Sequence, residues 1–525
     1  MSDQIKVAVC QVNPIVGDIE GNYLKIIDFY NESLAKGADL VVFPELVSVG
    51  YPPQDLLYNS KLIEKNIELL HSFSKQSTIP AIIGYVNSFE EKIFNSAAVC
   101  CNGKIDFSYD KMLLPNYDIF DEKRYFTPGK SLGEVIIKIG HSEKKVVIQI
   151  CEDLWEDLHD SKLSSSIMKL NPDLIVNISA SPFSNEKIQS RIDLIKKQYS
   201  NTNCPFIYCN LVGAQDEIIF DGNSLIFDKD YNLISKGKAF VEDLLISNLA
   251  DSKDFKISSD KENLVNALEL GIKDYFTKSG HKKAVIGLSG GIDSALVAVL
   301  TVKALGKDNV SLISMPSRFS SNHSKIDALQ LAQNLECNFQ TVDIDPIFQS
   351  YINLLGVELN INDQSIVFEN IQSRIRANIL MALSNNDNAL VVATGNKTEI
   401  ALGYSTIYGD MSGAILPIGD LTKIQVYNLC NYLNEHGNHI PQNIIDKTPS
   451  AELSPNQVDP FDYDHISPIV DEFITSNHNS DLSNSFKKLI IKNEFKRRQA
   501  PIILRVSSKS FGVGRRMPII NNFNE

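Results

Sequence analysis

The sequence predicts an α/β protein in two parts, a layered α/β domain followed by a doubly wound parallel sheet. Short apolar runs alternate with helical segments along the first half of the chain, and strand and helix alternate strictly along the second half. Polar, turn-rich residues follow position 250. We therefore expect a first domain at 1–250, a linker at 251–262 and a second domain at 263–525.

In the first part, eight short apolar runs have the length and composition of buried strands. Two longer segments between them, 23–35 and 62–74, carry apolar residues at helical spacing. A chain that alternates in this way folds into sheets whose outer faces are covered by helices. The predicted strands are 7–12, 40–43, 81–86, 97–101, 146–150, 174–178, 206–210 and 225–227.

Three residues of the first part, Glu45, Lys111 and Cys151, have side chains suited to attack on a carbonyl carbon. A thiolate is the nucleophile, a carboxylate can take the thiol proton, and an ammonium can stabilise the negative oxygen that develops. Each residue alone has an ordinary structural explanation, as a surface charge or as a packed thiol. The prediction of a thiol-dependent site depends on the three occurring together.

In the second part, the alternation of strand and helix predicts a parallel sheet, whose ligands bind beyond the carboxyl ends of the strands. We therefore expect Thr394 and the residues after it to lie on the same edge as the loop that follows the first strand. The predicted strands are 283–288, 310–315, 339–342 and 390–394, and the predicted helices are 263–275, 294–305, 324–335 and 368–383.

The loop between the strand at 283–288 and the helix at 294–305 has the character of a phosphate-binding turn. Two adjacent glycines allow the backbone to approach a ligand closely, and the helix N-terminus adds partial positive charge. The alternative is a glycine-rich turn that binds nothing. The S-G-G-x-D-S string of this turn resembles the pyrophosphate loop of the ATP-pyrophosphatase family, whose members split ATP into AMP and pyrophosphate. The resemblance implies that ATP is bound by Gly287, Leu288, Ser289, Gly290, Gly291, Ile292, Asp293 and Ser294.

Composition and charge exclude several classes of protein. The chain has 525 residues and a formal net charge of -14, which argues against a general nucleic-acid binder or a protein of anionic membranes. No run of about eighteen apolar residues is present, so we expect no membrane span. The eight cysteines form no CxxC pair and lie in apolar runs, which favours reduced thiols and a cytoplasmic location.

The contexts of Glu45, Lys111 and Cys151 resemble the three signatures of the carbon–nitrogen hydrolase, or nitrilase, superfamily. The resemblance implies an α-β-β-α sandwich with Glu45 as base, Lys111 at the oxyanion and Cys151 as nucleophile. The stretch from Lys111 to Gly129 is similar to the glutaminase domain of the glutamine-dependent NAD synthetase family. That resemblance implies glutamine contacts for Tyr117, Ser181 and Lys187. Arginine is frequent at the last position, and lysine keeps its charge but not its planar fork.

Four stretches of the second part, 369–376, 393–399, 403–410 and 421–423, resemble the synthetase domain of the same family. The resemblance implies a Rossmann-like ATP-pyrophosphatase domain that binds ATP and Mg²⁺. Ammonia-only relatives tend to carry lysine in the stretch that contains Ile407, so we expect that contact to be lost or replaced. By resemblance the site residues are Thr394 and Lys423 for ATP, Asn370, Glu399 and Lys509 for deamido-NAD, and Asp293 and Glu399 for the metal.

The two resemblances together predict a ligase that amidates deamido-NAD with ammonia released from glutamine, yielding NAD, AMP, pyrophosphate and glutamate. Because free ammonia is protonated and diffuses away in water, we expect a sheltered path between the sites and a homo-oligomer, as in the family. One alternative is another amidotransferase of the ATP-splitting class, resembling GMP synthetase. A second is an ammonia-dependent synthetase whose first domain is only a scaffold, and a pure nucleotide sensor is the third.

Overall fold

The computed structural model describes residues 5–249, 251–252, 255–355, 366–437, 439–455, 457–476 and 483–520. The chain divides into two compact units, Met1–Ser259 and Asp260–Glu525. Each unit has its own sheets and its own buried core.

The described part of the first unit contains two six-stranded sheets and a short hairpin, with four helices. The strands that pair in each sheet come mostly from consecutive stretches of the chain. The strands are β1 Lys6–Gln11, β2 Leu40–Val42, β3 Ala81–Phe89, β4 Lys92–Cys101, β5 Lys104–Asp110, β6 Gly133–Ile139, β7 Ser142–Ile150, β8 Leu174–Ser179, β9 Phe206–Asn210, β10 Val212–Gln215, β11 Ile218–Asp221, β12 Leu225–Phe227, β13 Leu233–Lys236 and β14 Asp243–Asn248. The helices are α1 Ile19–Ala35, α2 Ser60–Ser74, α3 Leu163–Lys169 and α4 Lys187–Tyr199.

The sheets of the first unit form the middle layers of an α-β-β-α sandwich. Their strand orders are β14-β1-β2-β3-β4-β5 and β13-β12-β9-β8-β7-β6. Alternate residues of the two sheets share a core, as Val9 and Val42 do with Val176. The remaining strand residues pack under helices, for example Ala8 with Ile26 of α1. The strict period of two in a strand explains why one strand serves both cores.

The second unit contains one six-stranded sheet and eleven helices within its described residues. The strands are β15 Lys283–Gly287, β16 Val310–Ser314, β17 Asn338–Thr341, β18 Ala389–Val392, β19 Ile415–Leu416 and β20 Ile502–Ile503. The helices are α5 Asp260–Lys278, α6 Ile292–Leu305, α7 Asn322–Asn334, α8 Asp345–Leu355, α9 Ile366–Asp387, α10 Lys397–Leu402, α11 Lys423–Glu435, α12 Gln442–Asp446, α13 Tyr463–Thr475, α14 Asn484–Lys492 and α15 Glu494–Arg497.

The sheet of the second unit is parallel throughout, with the order β17-β16-β15-β18-β19-β20. The strand order reverses between β15 and β18, which is where a doubly wound sheet opens a crevice for ligands. The loop after β15 and Thr394, two residues after β18, therefore share one edge. None of the helices in the described part of the chain is long and apolar enough to cross a membrane.

The predicted fold class is confirmed in both units. Every run predicted as a strand of the first part lies on a strand. The predicted runs are too short on three hairpin strands: β3 continues to Phe89, β4 begins at Lys92 and β7 begins at Ser142. The eight predicted strands omit β5, β6, β10, β11, β13 and β14. The side chains of β5 and β6 alternate between half-buried or buried and exposed positions. These two strands carry polar residues on one face and lack the largely apolar runs of β7 and β8.

Candidate active sites

Glu45 and Lys111 of the first unit meet in a buried ion pair. Glu45 lies three residues after β2, and Lys111 directly follows β5. Lys111 Nζ lies 2.7 Å from Glu45 Oε1, and the side chains are 1% and 0% exposed. The backbone at Glu45 passes so close to Gly84 that a Cβ there would lie 2.4 Å from Pro44 O and from Leu46 N. A side chain at position 84 would displace Glu45.

A second carboxylate, Glu122, shares the ammonium of Lys111. Lys111 Nζ donates to Glu122 Oε1 at 2.8 Å, and Tyr51 Oη donates to the same oxygen at 2.8 Å. Asn95 Nδ2 donates to Glu45 Oε1 at 2.7 Å and reaches Glu122 Oε2 at 3.4 Å. The sequence prediction missed Glu122, Asn95 and Tyr51, because nothing local distinguishes a buried glutamate from an exposed one.

Cys151 begins a short 3-10 helix, Cys151–Leu154, directly after β7. Its φ of 41° is in the left-handed region, which costs a non-glycine residue backbone strain. Asp153 stabilises the turn, since its Oδ2 accepts from Ile150 N at 2.9 Å and its Oδ1 accepts from Leu113 N at 2.9 Å. Asp153 thereby ties the turn of Cys151 to the segment that follows Lys111.

The electrostatics of the site set the protonation of the thiol. Burial raises the pKa of Cys151 well above its ordinary value; Glu45 raises it further, and Lys111 lowers it. Burial also raises the pKa of Glu122 to about 7, against the lowering effect of Lys111. The carboxylates of Glu45 and Glu122 face a single ammonium, which can balance only one negative charge. Glu122 can therefore accept a proton near neutrality. Burial therefore favours the protonated thiol, and forming the thiolate requires a base.

The residues predicted to contact glutamine lie in three segments of the first unit. Tyr117 is 41% exposed, and its hydroxyl donates to the Glu152 carboxylate at 2.9 Å. Ser181 is buried just after β8. Lys187 begins α4, and its ammonium lies 3.9 Å from the ring centroid of Trp155. Glu152 and Trp155, in the segment that begins at Cys151, thus connect two of the three to the thiol turn.

A pocket of the second unit brings together most of the predicted nucleotide-binding residues. Gly287, Leu288, Ser289, Gly291, Ile292, Asp293 and Ser294 line it, and so do Asn370, Thr394, Glu399 and Lys423. Gly290 and Lys509 do not line it. Gly290 has a φ of 78°, and a Cβ there would lie 2.3 Å from Ser324 O. Its role is to let the loop turn and pack against Ser324.

Asp293 and Glu399 converge on one ammonium in this pocket. Lys423 Nζ lies 2.5 Å from Asp293 Oδ2 and 3.2 Å from Glu399 Oε1. Asn396 caps α10 by accepting from Glu399 N at 3.1 Å, and its Nδ2 donates to Asp293 Oδ1 at 2.9 Å. Burial raises the pKa of Glu399 to about 8, although Lys423 opposes the shift. The first turns of α6, α10 and α11 therefore present charged groups at one point.

This pair of carboxylates fits a magnesium ion that arrives with phosphates. Within the described residues no group of three or more histidine, cysteine or acidic side chains could hold a metal. Mg²⁺ commonly binds one or two carboxylates and takes its other ligands from substrate phosphates and water. Asp293 and Glu399 match that donor set.

The pocket lining includes Asn370 on α9, whose Oδ1 accepts from Thr406 Oγ1 at 2.7 Å. It also contains Lys496, which the sequence prediction missed. Lys496 Nζ donates to Gly403 O at 2.7 Å and to Ser405 O at 2.8 Å, in the loop that continues to Ile407. Position 496 lies in the basic stretch 496–498, which the sequence favours as a solvated surface, with contact to a phosphate-bearing substrate as the alternative.

Comparison with known proteins agrees with this geometry. Residues 6–253 match the family model of carbon-nitrogen hydrolases, and residues 264–500 match that of NAD synthases. The fold and the two sites thus define an enzyme that combines a carbon–nitrogen hydrolase unit with a nucleotide-binding synthase unit.

Relatives that match over nearly their whole length define the class of enzyme more closely. The chain is 40% identical to the glutamine-dependent NAD(+) synthetase of Synechocystis sp. and 36% identical to that of Thermotoga maritima, each over 99% of both chains. It matches the structure of the glutamine-dependent NAD+ synthetase from Acinetobacter baumannii in complex with adenosine diphosphate, with a TM-score of 0.81, 31% identity and 99% of both chains covered. The chain belongs to the family of glutamine-dependent NAD(+) synthetases.

Proposed function

We propose that the protein converts deamido-NAD to NAD, using ATP and ammonia that its first unit releases from glutamine. The observation that carries the proposal is the presence in one chain of a buried Glu–Lys pair, a thiol on a strained turn and a phosphate-binding loop. We assign glutamine hydrolysis to residues 1–250 and NAD synthesis to residues 263–525, joined by a linker at 251–262.

In glutamine hydrolysis, Glu45 takes the proton of Cys151, and the thiolate attacks the amide carbon. The Lys111 ammonium stabilises the oxyanion, and the C–N bond breaks as Glu45 returns the proton to the leaving ammonia. Water, deprotonated by Glu45, then hydrolyses the thioester and releases glutamate. Tyr117, Ser181 and Lys187 hold the glutamine, with the lysine suited to its α-carboxylate by charge.

In NAD synthesis, a nicotinate carboxylate oxygen attacks the α-phosphorus of ATP, and pyrophosphate leaves. Ammonia attacks the resulting acyl adenylate, AMP leaves, and an amide remains. The loop at 287–294, Thr394 and Lys423 bind ATP, and Asn370, Glu399 and Lys509 bind deamido-NAD. Asp293 and Glu399 would hold Mg²⁺, which neutralises phosphate charge. Lys496 adds a cation beside the loop in which relatives of the ammonia-only type carry lysine.

The proposal also includes a cytoplasmic location and a homo-oligomeric state. All eight cysteines are free, and seven are buried, which suits the reducing cytoplasm. A homo-oligomer would shelter ammonia on its path to the synthesis site, because ammonia in water is largely protonated and unreactive. Sedimentation of the purified protein tests the oligomer.

The proposal is tested by measuring NAD formation from deamido-NAD, ATP and Mg²⁺, with glutamine or ammonium as the nitrogen source. We expect both nitrogen sources to support synthesis. Inactivity with both would refute the function, and activity with ammonium alone would favour a scaffold in place of a glutaminase. Replacing deamido-NAD by a purine nucleotide should give no product, and amidation of the purine would identify a different amidotransferase.

Glu122 is expected to set the acidic side of the pH profile of glutamine hydrolysis. The unbalanced carboxylates take up a proton near the Glu122 pKa of about 7. Because protonation of Glu122 weakens its hold on the Lys111 ammonium, which stabilises the oxyanion, activity should fall as the pH drops through this value. In Glu122→Gln one negative charge is gone, so the acidic limb should move to lower pH, while the maximal rate falls by about 10²-fold as Lys111 loses an anchor.

The test is to measure kcat/KM for glutamine between about pH 5 and pH 9, the range over which such groups titrate in proteins. Glu134→Gln, an exposed glutamate of β6, is the matched control. An acidic limb at the same pH in the wild type and in Glu122→Gln would contradict the assignment.

Lys496 and Lys509 can be compared as contacts of deamido-NAD. Lys496 lines the pocket and Lys509 does not, so Lys496→Met should raise KM for deamido-NAD by about 10-fold and exceed the effect of Lys509→Met. The KM for glutamine should be unchanged in both. Steady-state kinetics with saturating ammonium measure the difference, and a larger effect at Lys509 would show that the dinucleotide extends beyond the lined pocket.

A further inference from the structure

Helix α4 carries a buried arginine, Arg191, four residues after Lys187. Its side chain is 0% exposed and forms a bidentate pair with Asp221, with Nη1 to Oδ2 and Nη2 to Oδ1 both at 2.8 Å. Burial alone would lower the pKa of Arg191, but Asp221 holds it above its usual value, so the group is charged. A fully buried charge is costly even when it is paired, so the ion pair alone does not explain why an arginine is placed here.

The other contacts of Arg191 converge on one short segment. Nη2 donates to Ser181 O at 3.0 Å, to Ser181 Oγ at 3.2 Å and to Pro182 O at 3.3 Å. These acceptors share the two hydrogens of Nη2 with Asp221. Since Ser181 Oγ accepts from Arg191, its hydroxyl hydrogen can rotate to donate to a bound carboxylate or carbonyl.

The segment held by Arg191 is continuous with the thiol site. Ala180 N, one residue before Ser181, donates to Glu45 Oε2 at 2.8 Å. Strand β8, which leads into the segment, lies beside β7, with Ile178 opposite Ile150. The turn at Cys151 and the segment at 180–182 therefore leave adjacent ends of parallel strands. A displacement of Ser181 would therefore change its contact with the substrate. Through the neighbouring Ala180 N, it would also change the position of Glu45.

We propose that Arg191 is a positioning residue of the glutaminase site, which holds Ser181 in the orientation that binds glutamine. The inference rests on the proposed function, because it takes Ser181 as a glutamine contact. Under this proposal Arg191 increases the affinity for glutamine, whereas a purely structural ion pair with Asp221 would not.

The test compares Arg191→Lys with Asp221→Asn. Arg191→Lys keeps a cation beside Asp221 but loses the fork that reaches Ser181 and Pro182, so KM for glutamine should rise about 10-fold or more, with kcat reduced less. Asp221→Asn breaks the ion pair but leaves the donors that contact Ser181, so KM should stay within about 2-fold of wild type. Thermal melting of both variants measures the cost to stability.

Further variants and a control distinguish a positioning role from a loss of folding. Ser181→Ala combined with Arg191→Lys should raise KM by much less than the product of the single effects, since both act on one contact. If Arg191→Lys does not fold, the double variant Arg191→Gln/Asp221→Asn removes the pair without leaving an unpaired charge, and the same rise in KM is expected. Ammonium-dependent NAD formation should be unchanged throughout. Lys196→Gln, an exposed cation of α4, is the control.

The outcomes separate the inference from the function on which it rests. A wild-type protein that cannot use glutamine refutes the proposed function. A wild-type protein that uses glutamine, with an unchanged KM in the Arg191 variants, overturns the role of Arg191 alone. An equal rise in KM in Arg191→Lys and Asp221→Asn, or independent effects at Arg191 and Ser181, would reduce Arg191 to a structural ion pair.

Discussion

Replacing Cys151 by alanine is expected to reduce NAD formation from glutamine by about 10⁴-fold or more, and to leave formation from ammonium unchanged. The thiol is the nucleophile of the proposed hydrolysis, and Cys151 interacts electrostatically with both Glu45 and Lys111. The residues assigned to NAD synthesis all lie in the second unit. The two nitrogen sources, compared in one assay with deamido-NAD and ATP, measure the difference.

Cys337→Ala is the matched control, because Cys337 is a half-buried thiol of the second unit and does not line the pocket. It should behave as wild type with both nitrogen sources. If Cys151→Ala retained synthesis from glutamine, another group would be the nucleophile. If it lost synthesis from ammonium as well, the separation of the two sites would be wrong.

Lys423→Met is expected to give the complementary result, a loss of about 10²–10³-fold in NAD formation from both nitrogen sources. Lys423 Nζ bridges Asp293 and Glu399, and Asp293 and Glu399 raise its pKa above the ordinary value despite burial. Without the ammonium, two carboxylates face each other where the phosphates of ATP should bind. The variant should therefore bind phosphate less tightly, and repulsion between the carboxylates should shift the first turns of α6 and α10.

Glutamine hydrolysis by the same Lys423→Met protein, measured as glutamate release, should persist, because Glu45, Lys111 and Cys151 lie in the first unit. Lys282→Met, an exposed lysine before β15, is the control and should keep full synthesis. Near-normal ATP-dependent synthesis in Lys423→Met would remove this lysine from the ATP site.

Much of the fold was predictable from the sequence. Largely apolar runs such as 146–150 and 174–178 identify buried parallel strands, although each contains one buried polar residue, Gln149 or Asn177. Strands with a solvated face, such as β5, escaped prediction because their alternation is short and resembles that of a loop. The fold class depended on the stronger elements and was correct in both units.

The composition of each candidate site was predictable only where residues sit in local motifs. Glu45, Cys151 and the loop at 287–294 are marked by their neighbours in sequence. Glu122 and Lys496 carry no such mark, although the structure places both in direct contact with a site. A charged residue becomes functional through burial and partners, and these are properties of the packed chain.

The sequence by itself determined a two-part α/β chain with a thiol group of residues and a phosphate loop, because periodicity and short motifs are local. The tertiary structure decided which side chains meet: Lys111 with Glu45 across 66 positions, and Lys423 with Asp293 across 130. It also turned Arg191 inward to Ser181, where helical periodicity alone leaves a cation free to face solvent or core. Such choices arise because an ion pair forms inside a protein only where packing of distant strands removes the water from both partners.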